Sequence, residues 1–414
     1  MGGAWGKEPH DLLSLEEAWA VVAGEVRPIG TEVVRLAEAG GRVLAAAVRV
    51  DEDYPAFDKA MMDGFAVRSA DCAAPGAWLR VLGLSAAGGA AAPGVGAGEA
   101  VRVNTGAPVP PGADAVVRVE DTQPSEDGGR VRVGTGVRAE QNISRRGSDR
   151  RQGETVLVPP IRLAAAHLAA GATAGADRLE VARRVGVAIV PTGDELVEAG
   201  QARAPGQIYE SNGVMLAALM RQFGAEPRQM GIVGDSRERL AAVLGEAMRE
   251  PVVISVGGMS MGTLDLVPEV LSALGVRWRF HGVEVRPGKP VAYGRGPDGQ
   301  HVFGLPGNPA SAFVCAWLFV RMAVRGMQGL GAAPPPRERA ILRGELKAAR
   351  DGRPAFVPAR VWLEEDGGWA VEACRWSGSG DPFGLALANA LLVRREPTRA
   401  AASGSPVEVI RTSH

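Results

Sequence analysis

The sequence predicts a multidomain protein of α/β plus β class: a central three-layer α/β domain, a β-rich domain inserted through a small linker domain, and a C-terminal β-barrel-like domain. Three observations carry this expectation. The chain has 414 residues, 46% hydrophobic and 22% charged, enough for three or four cores and too many for one ordinary domain. Residues 185–331 repeat an order of strand, loop and helix, as strands buried between helical layers do. On either side the pattern changes to short β-rich runs cut by Gly and Pro, which read as separate β domains.

Element by element, Ser14-Leu-Glu-Glu17 is a capping box, and Leu15, Trp19 and Val22 recur on one face of the amphipathic helix it opens. From about Val48 to Pro159, runs such as Ala115 to Val119 and Arg130 to Val133 form a small β domain, and the Ala/Gly/Pro tract Ser85 to Gly98 reads as a surface loop. Val185 to Val190 is a continuous apolar run, the mark of a strand covered on both faces. Ser211-Asn212 precede a helical run through Met220, Pro227 to Val233 returns as a strand, and Ser236 caps a helix over Leu240 to Met248. Pro251 to Val256 and Gln300 to Leu305 are further strands flanking a helix over Leu264 to Leu274, and Asn308-Pro309 give a cap and a first-turn proline to a long apolar helix. Pro334-Pro335-Pro336 cannot continue that helix. Phe356 to Leu363, Trp369 to Trp376, Ala390 to Val393 and Val407 to Ile410 then read as strands of a small barrel or sandwich.

Composition excludes several classes. A formal net charge of -1 and the absence of any long Lys/Arg block leave no field to hold a nucleic-acid backbone. Met1 to Leu13 has no apolar core of signal-peptide length, and the longest apolar stretch, around Ala312 to Val320, ends at Arg321; a cytoplasmic protein with neither nucleic acid nor membrane as partner is expected. Cys72, Cys315 and Cys374 are far apart, as are the five histidines, so neither disulfides nor imidazole-held metals are indicated, and any metal should prefer oxygen.

Chemistry is expected beyond the carboxyl ends of the parallel strands. Four loops leave those ends: Pro191-Thr-Gly-Asp-Glu195, Gly234-Asp235-Ser236, Gly257-Gly-Met-Ser-Met-Gly-Thr-Leu-Asp265 and Gly304-Leu-Pro-Gly-Asn-Pro309. Gly257, Gly258, Ser260 and Gly262 allow close backbone approach and offer N–H groups to an anion, although a packing turn explains the glycines equally well. Asp194, Glu195, Asp235 and Asp265 sharing that edge change the balance, since carboxylates beside a phosphate cradle require a cation, and oxygen-only ligation next to phosphate is the habit of Mg²⁺. Pro306 and Pro309 stiffen a loop wall, and Lys289 in Arg286-Pro-Gly-Lys-Pro290 brings a compact positive charge. In the β domain stand Phe57-Asp-Lys-Ala-Met-Met-Asp-Gly-Phe-Ala66, Asn104-Thr-Gly-Ala-Pro108 and Asn142-Ile-Ser-Arg-Arg-Gly-Ser-Asp149; on residues alone Asp63-Gly64 is a turn.

From about residue 12 onward, these motifs in this order resemble the molybdopterin molybdenumtransferase (MoeA) family, whose animal relative is the gephyrin E domain. The patterns PxFDxxxMDG(Y/F)A, NTGAPxPxGAD, TGDEL, GGxSxGxxD, PGKP and GLPGNP occur together. Departures are Lys59-Ala60-Met61 where the family often has Asn-Ser-Ala, Ser144 where it often has Arg, and Gly282 and Arg286 where some members have lysine. The resemblance implies a linker-like domain (31–49 and 154–184), a β-rich domain (50–153), a MogA-like α/β domain (12–30 and 185–333) and a C-terminal barrel-like domain (334–414), in an elongated protomer of a homodimer. It implies a cleft between the α/β domain of one subunit and the β-rich domain of the other. Asp63, Thr105, Asp149, Glu195, Asp235, Asp265, Pro306 and Pro309 are carried over to that cleft, with Arg360 and Ser379 from the last domain.

The activity implied is molybdenum insertion into adenylylated molybdopterin with release of AMP, Mg²⁺ being held by Glu195, Asp235 and Asp265. Molybdate, a substrate, would be met by donors such as Lys289, Arg286 or Thr105, and a pterin adenylyltransferase would be the partner supplying the adenylylated pterin. Two rivals are a pterin adenylyltransferase and a non-catalytic scaffold of gephyrin type; the Met-Asp-Gly motif and the barrel weigh against the first, the retained carboxylates against the second.

Overall fold

Strands without a polar face must be covered on both sides, and the apolar runs Gly186–Pro191, Val252–Val256 and His301–Leu305 lie side by side in the middle of a six-stranded sheet. In this computed structural model, which describes residues 12–89, 91–258, 266–349 and 351–413, the chain divides into two units. One gathers the chain up to Glu32, Gly41–Ala45 and the chain from Val181 onward; the other holds Val33–Gly40 and Ala46–Glu180.

The first unit contains the six-stranded sheet in the order Glu226–Gln229, Gly186–Pro191, Val252–Val256, His301–Leu305, Ala292–Arg295, Arg277–His281. The first four strands are parallel; Ala292–Arg295 runs antiparallel to both of its neighbours, so Arg277–His281 again runs with the first four. Helices Leu15–Glu25, Asn212–Gln222 and Pro309–Met327 share a core with one face, through Trp19, Leu216 and Phe319 among others. Arg237–Ala247 and Leu266–Ala273 cover the other through Leu240, Leu244 and Leu271. This is the three-layer α/β sandwich expected.

The capping box forms as read: the Glu17 N–H donates to Ser14 Oγ at 3.2 Å and the Ser14 N–H to Glu17 Oε2 at 2.8 Å. Trp19 then donates its indole N–H to the Leu318 carbonyl at 3.0 Å, which fixes the first helix to the long apolar one. Ser236 caps its helix through the Arg239 N–H.

Some local expectations are corrected. The edge strand stops at Gln229 rather than Val233. Asn308 occupies the cap position but makes no side-chain cap bond, because its amide donates to Ser379 Oγ at 3.1 Å instead. The apolar stretch does end at Arg321, while the helix that carries it continues to Met327, and the Arg321 guanidinium lies 5.5 Å from the Trp317 ring centre. By length and composition Pro309–Met327 is the one helix among the described residues able to cross a membrane, yet 83% of that window is buried in the fold.

After the prolines the chain closes a five-stranded barrel in the order Glu338–Leu342, Trp369–Ala373, Ala355–Leu363, Ala390–Arg394, Pro406–Arg411. Its first strand and the short helix Pro382–Ala386 escaped the sequence reading: the strand is charged at its start, and the helix spans five residues. Barrel residues Phe356, Leu391 and Ile410 join the core of the α/β layer.

The second unit is built on a six-stranded sheet in the order Ala115–Arg118, Gly64–Val67, Glu99–Val103, Trp78–Ser85, Arg130–Val133, Thr122–Pro124. A separate pair, Lys59–Ala60 with Ile143–Ser144, joins the first and last motifs of the β-rich region.

Candidate active site

The register Pro191 to Val256 to Leu305 ends three parallel strands on one line, and the loops leaving them surround a cavity of about 680 Å³. Glu195, Gly257, Gly258, Pro306 and Pro309, all singled out from the sequence, line it. Gly257 and Gly258 have φ of +95° and +58°, and a Cβ on Gly257 would collide with the Thr192 carbonyl. The packing explanation of these glycines therefore has a physical basis, and the same absence of side chains opens the backbone to a ligand.

Two further residues of this cavity were not anticipated. Thr192, only 2% exposed, has a hydroxyl with no hydrogen-bond partner among the described residues, and the buried Oδ1 of Asn212 is likewise unmatched among them. Thr192 lay inside a loop read for its Asp and Glu, and Asn212 was read as a helix start.

Asp194, Glu195 and Asp235 are brought into mutual influence. Asp194 Oδ1 accepts the Asp235 N–H at 3.0 Å. Burial, then the negative charges of Asp194 and Glu195, push the Asp235 carboxyl above the usual carboxylate range. Asp265, with Ser260 and Gly262, lies outside the described residues, and among the described residues no three acidic, His or Cys side chains group as a metal site. Mg²⁺ commonly uses one or two carboxylates and completes its shell with water and substrate phosphate. An oxygen-only set whose members repel one another fits that ion.

Beside this cavity is a second, of about 410 Å³, which shares Pro290, Pro306 and Asn308 with it. Arg286, Lys289 and Ser379 line the second cavity as the sequence suggested, joined by Arg353. Arg353 is committed to Asp351, whose carboxyl is held down to about 2 chiefly by hydrogen bonds from that guanidinium. Arg286 and Lys289 are exposed. Arg360 lies on the barrel strand opposite Glu372 and lines neither cavity.

In the β-rich unit, Asp63 Oδ1 accepts both the backbone N–H of Thr105, at 2.6 Å, and its hydroxyl, at 3.1 Å. The fold thus joins two predicted site residues 42 positions apart. Asp149 is exposed on a turn whose backbone N–H donates to the Tyr54 carbonyl at 3.1 Å. Asp58, part of the Phe57-Asp motif but given no role from the sequence, pairs with Arg145 and accepts the Arg146 N–H at 2.9 Å. That backbone bond first, then the Arg145 side chain, outweighs desolvation and lowers its carboxyl below the usual range.

Fold and cavities together define an α/β protein with two adjoining cavities beyond the carboxyl ends of its parallel strands, the place where folds of this kind bind ligands. Family models match along its length: "MoeA N-terminal region (domain I and II)" at residues 13–175, "Probable molybdopterin binding domain" at 188–326 and "MoeA C-terminal region (domain IV)" at 339–411. The molybdopterin molybdenumtransferase of Staphylococcus epidermidis is 33% identical over 412 residues, covering 98% of this chain and 97% of the relative. That of a Nostoc species is 36% identical over 390 residues, covering 92% and 88%. The crystal structure of the molybdopterin biosynthesis MoeA protein from Pyrococcus horikoshii superposes with a TM-score of 0.82 at 29% identity, covering 98% of this chain and 100% of the other. The chain belongs to the molybdopterin molybdenumtransferase family.

Proposed function

We propose that this protein is a Mg²⁺-dependent molybdopterin molybdotransferase of the cytoplasm, which inserts molybdenum from molybdate into adenylylated molybdopterin and releases AMP. Family membership supports the reaction class. The observation that carries the reading furthest is the pair of adjoining cavities, one edged by glycine backbone and a carboxylate, the other by Arg286 and Lys289, with Pro290, Pro306 and Asn308 as common wall.

In this reading Gly257 and Gly258 present backbone N–H groups to the substrate phosphate, a role the sequence extends to Ser260 and Gly262 outside the described residues. Glu195, Asp235 and Asp265 would hold Mg²⁺, which would supply positive charge to neutralise that phosphate. Arg286 and Lys289 attract the tetrahedral molybdate dianion, Ser379 offers it a hydroxyl, and Arg360 adds positive charge on the barrel. Pro306 stiffens the wall between the cavities and Pro309 that of the larger one, so pterin and oxyanion meet against a preformed wall. Asp63, Thr105 and Asp149 belong to the same site, supplied by the β-rich domain of the second subunit of a homodimer. The four-domain division expected from the sequence belongs to this reading, as does a pterin adenylyltransferase that hands over the adenylylated pterin.

The test is AMP release from adenylylated molybdopterin with molybdate, tungstate or neither, each with and without Mg²⁺. Release that needs both oxyanion and metal is expected. Transfer of AMP from ATP onto molybdopterin would instead identify a pterin adenylyltransferase, and the absence of both activities would favour a scaffold.

A further inference from the structure

In the larger cavity, the side-chain amide of Asn212 donates from Nδ2 to the Gly307 carbonyl at 2.7 Å. A carbonyl only accepts, so this bond fixes which end of the amide points away. The free end, Oδ1, is buried and has no donor among the described residues. Buried acceptors in folded proteins are nearly always matched, and an unmatched one calls for a missing partner. Its setting is held from the barrel side as well: Asn308, next to Gly307, donates to Ser379 Oγ, and the Ser379 carbonyl accepts the Ala310 N–H at 3.0 Å.

The same cavity has an aromatic rim. Phe383 lines it while 79% exposed, so most of the phenyl ring is open to a ligand in that cavity. Asp381 accepts the Phe383 and Gly384 N–H groups at 2.9 and 3.2 Å, so the short helix bearing the ring is anchored.

We propose that Asn212 Oδ1 accepts an N–H from the amino edge of a fused, amino-substituted heterocycle while Phe383 covers the ring face, making these two residues determinants of substrate recognition. The inference rests on the proposed function, whose substrate has two such rings, the pterin and the adenine. Both present an exocyclic amino group and a flat π face, so both satisfy the same pair of residues.

The test measures equilibrium binding to the full chain of two ligand pairs: AMP against purine riboside 5′-monophosphate, which lacks the amino group, and a pterin against the matching lumazine, which carries an oxo group in its place. In at least one pair the amino ligand should bind about tenfold tighter, as one well-placed hydrogen bond of about 1.4 kcal/mol gives. The discriminating pair identifies the ring. Asn212→Ala should bring that ratio to within about twofold, and the isosteric Asn212→Leu serves if the alanine variant does not fold. Phe383→Ala should weaken both members of the pair by a similar factor, on the order of tenfold, with the ratio kept and Phe383→Trp restoring affinity. Equal binding within both pairs, or discrimination that survives at Asn212 variants, would overturn the proposal. Molybdate-dependent AMP release by the unmodified chain is followed alongside. Its absence removes the functional reading and this inference with it; release without discrimination overturns the inference alone.

Discussion

Asp58 and Asp235 are both acidic residues in motif-bearing loops, and their surroundings drive them in opposite directions. In the β-rich unit, Asp58 is met by the Arg146 N–H and the Arg145 guanidinium, and its carboxyl is lowered. In the α/β unit, Asp235 is met by burial and two more negative charges, and its carboxyl is raised. The first arrangement stabilises the folded chain. The second costs stability unless something outside the chain binds there, which is how a binding site differs from a structural lock.

The largest test of this contrast is removal of charge from the acidic group. Glu195→Gln, Asp235→Asn and Asp265→Asn should each lower Mg²⁺-dependent AMP release at least about a hundredfold, equivalent to about 2.7 kcal/mol of barrier, without a lower thermal midpoint. Turnover within a factor of two of the unmodified chain would reduce these acids to turn and helix-start residues.

Acid should separate the two units. His301, 2% exposed, faces Tyr293 and Arg295, and burial, then the Arg295 charge, lower its pKa to about 3. The neutral imidazole therefore contributes stability that is fully present above the unfolded value near 6.5 and is lost as pH falls toward 3, by at most about 1.4 kcal/mol per pH unit. The lowered carboxyls of Asp53, Asp58 and Asp114 in the other unit keep their contribution until pH falls through 3.8. Calorimetry between pH 7 and 4.5 should show the α/β unit losing stability first. His301→Gln should flatten that slope; an unchanged slope would assign it to other groups.

Asp58→Asn should lower the thermal midpoint of the β-rich unit by the equivalent of about 1–2 kcal/mol, the loss of a charge-assisted bond at a half-exposed site, with an unchanged response to Mg²⁺. An activity loss larger than the stability loss would mean that Asp58 belongs to the site.

Asp63→Asn is the finest discriminator. The amide can still accept from Thr105, so stability should change by less than about 0.5 kcal/mol, while AMP release should fall roughly tenfold if the negative charge acts on substrate. Mixing Asp63→Asn with Asp265→Asn subunits should restore up to about half of the activity in each mixed dimer, since a cross-subunit site gathers both lesions in one cleft. No recovery after verified subunit exchange would remove Asp63 from that cleft.

The sequence by itself determined what depends on local order. The capping box at Ser14, the buried strands at Val187 and Val252, and the loops at their carboxyl ends could be read because periodicity, caps and glycine have local physical causes. The motifs also marked Glu195, Gly257, Pro306 and Lys289, which line the two cavities. Tertiary structure decided what depends on partners far along the chain. Asn308 turns from its helix to Ser379, 71 positions away. Asp63 grips Thr105, and Asp58 is neutralised by Arg145, 87 positions away. Asn212 does start its helix, as read, and only the fold adds that its amide donates to the Gly307 carbonyl and leaves one oxygen unmatched among the described residues. Hydrogen-bond satisfaction and the sign of a pKa shift are sums over neighbours in space, and a linear chain does not specify those neighbours until it has folded.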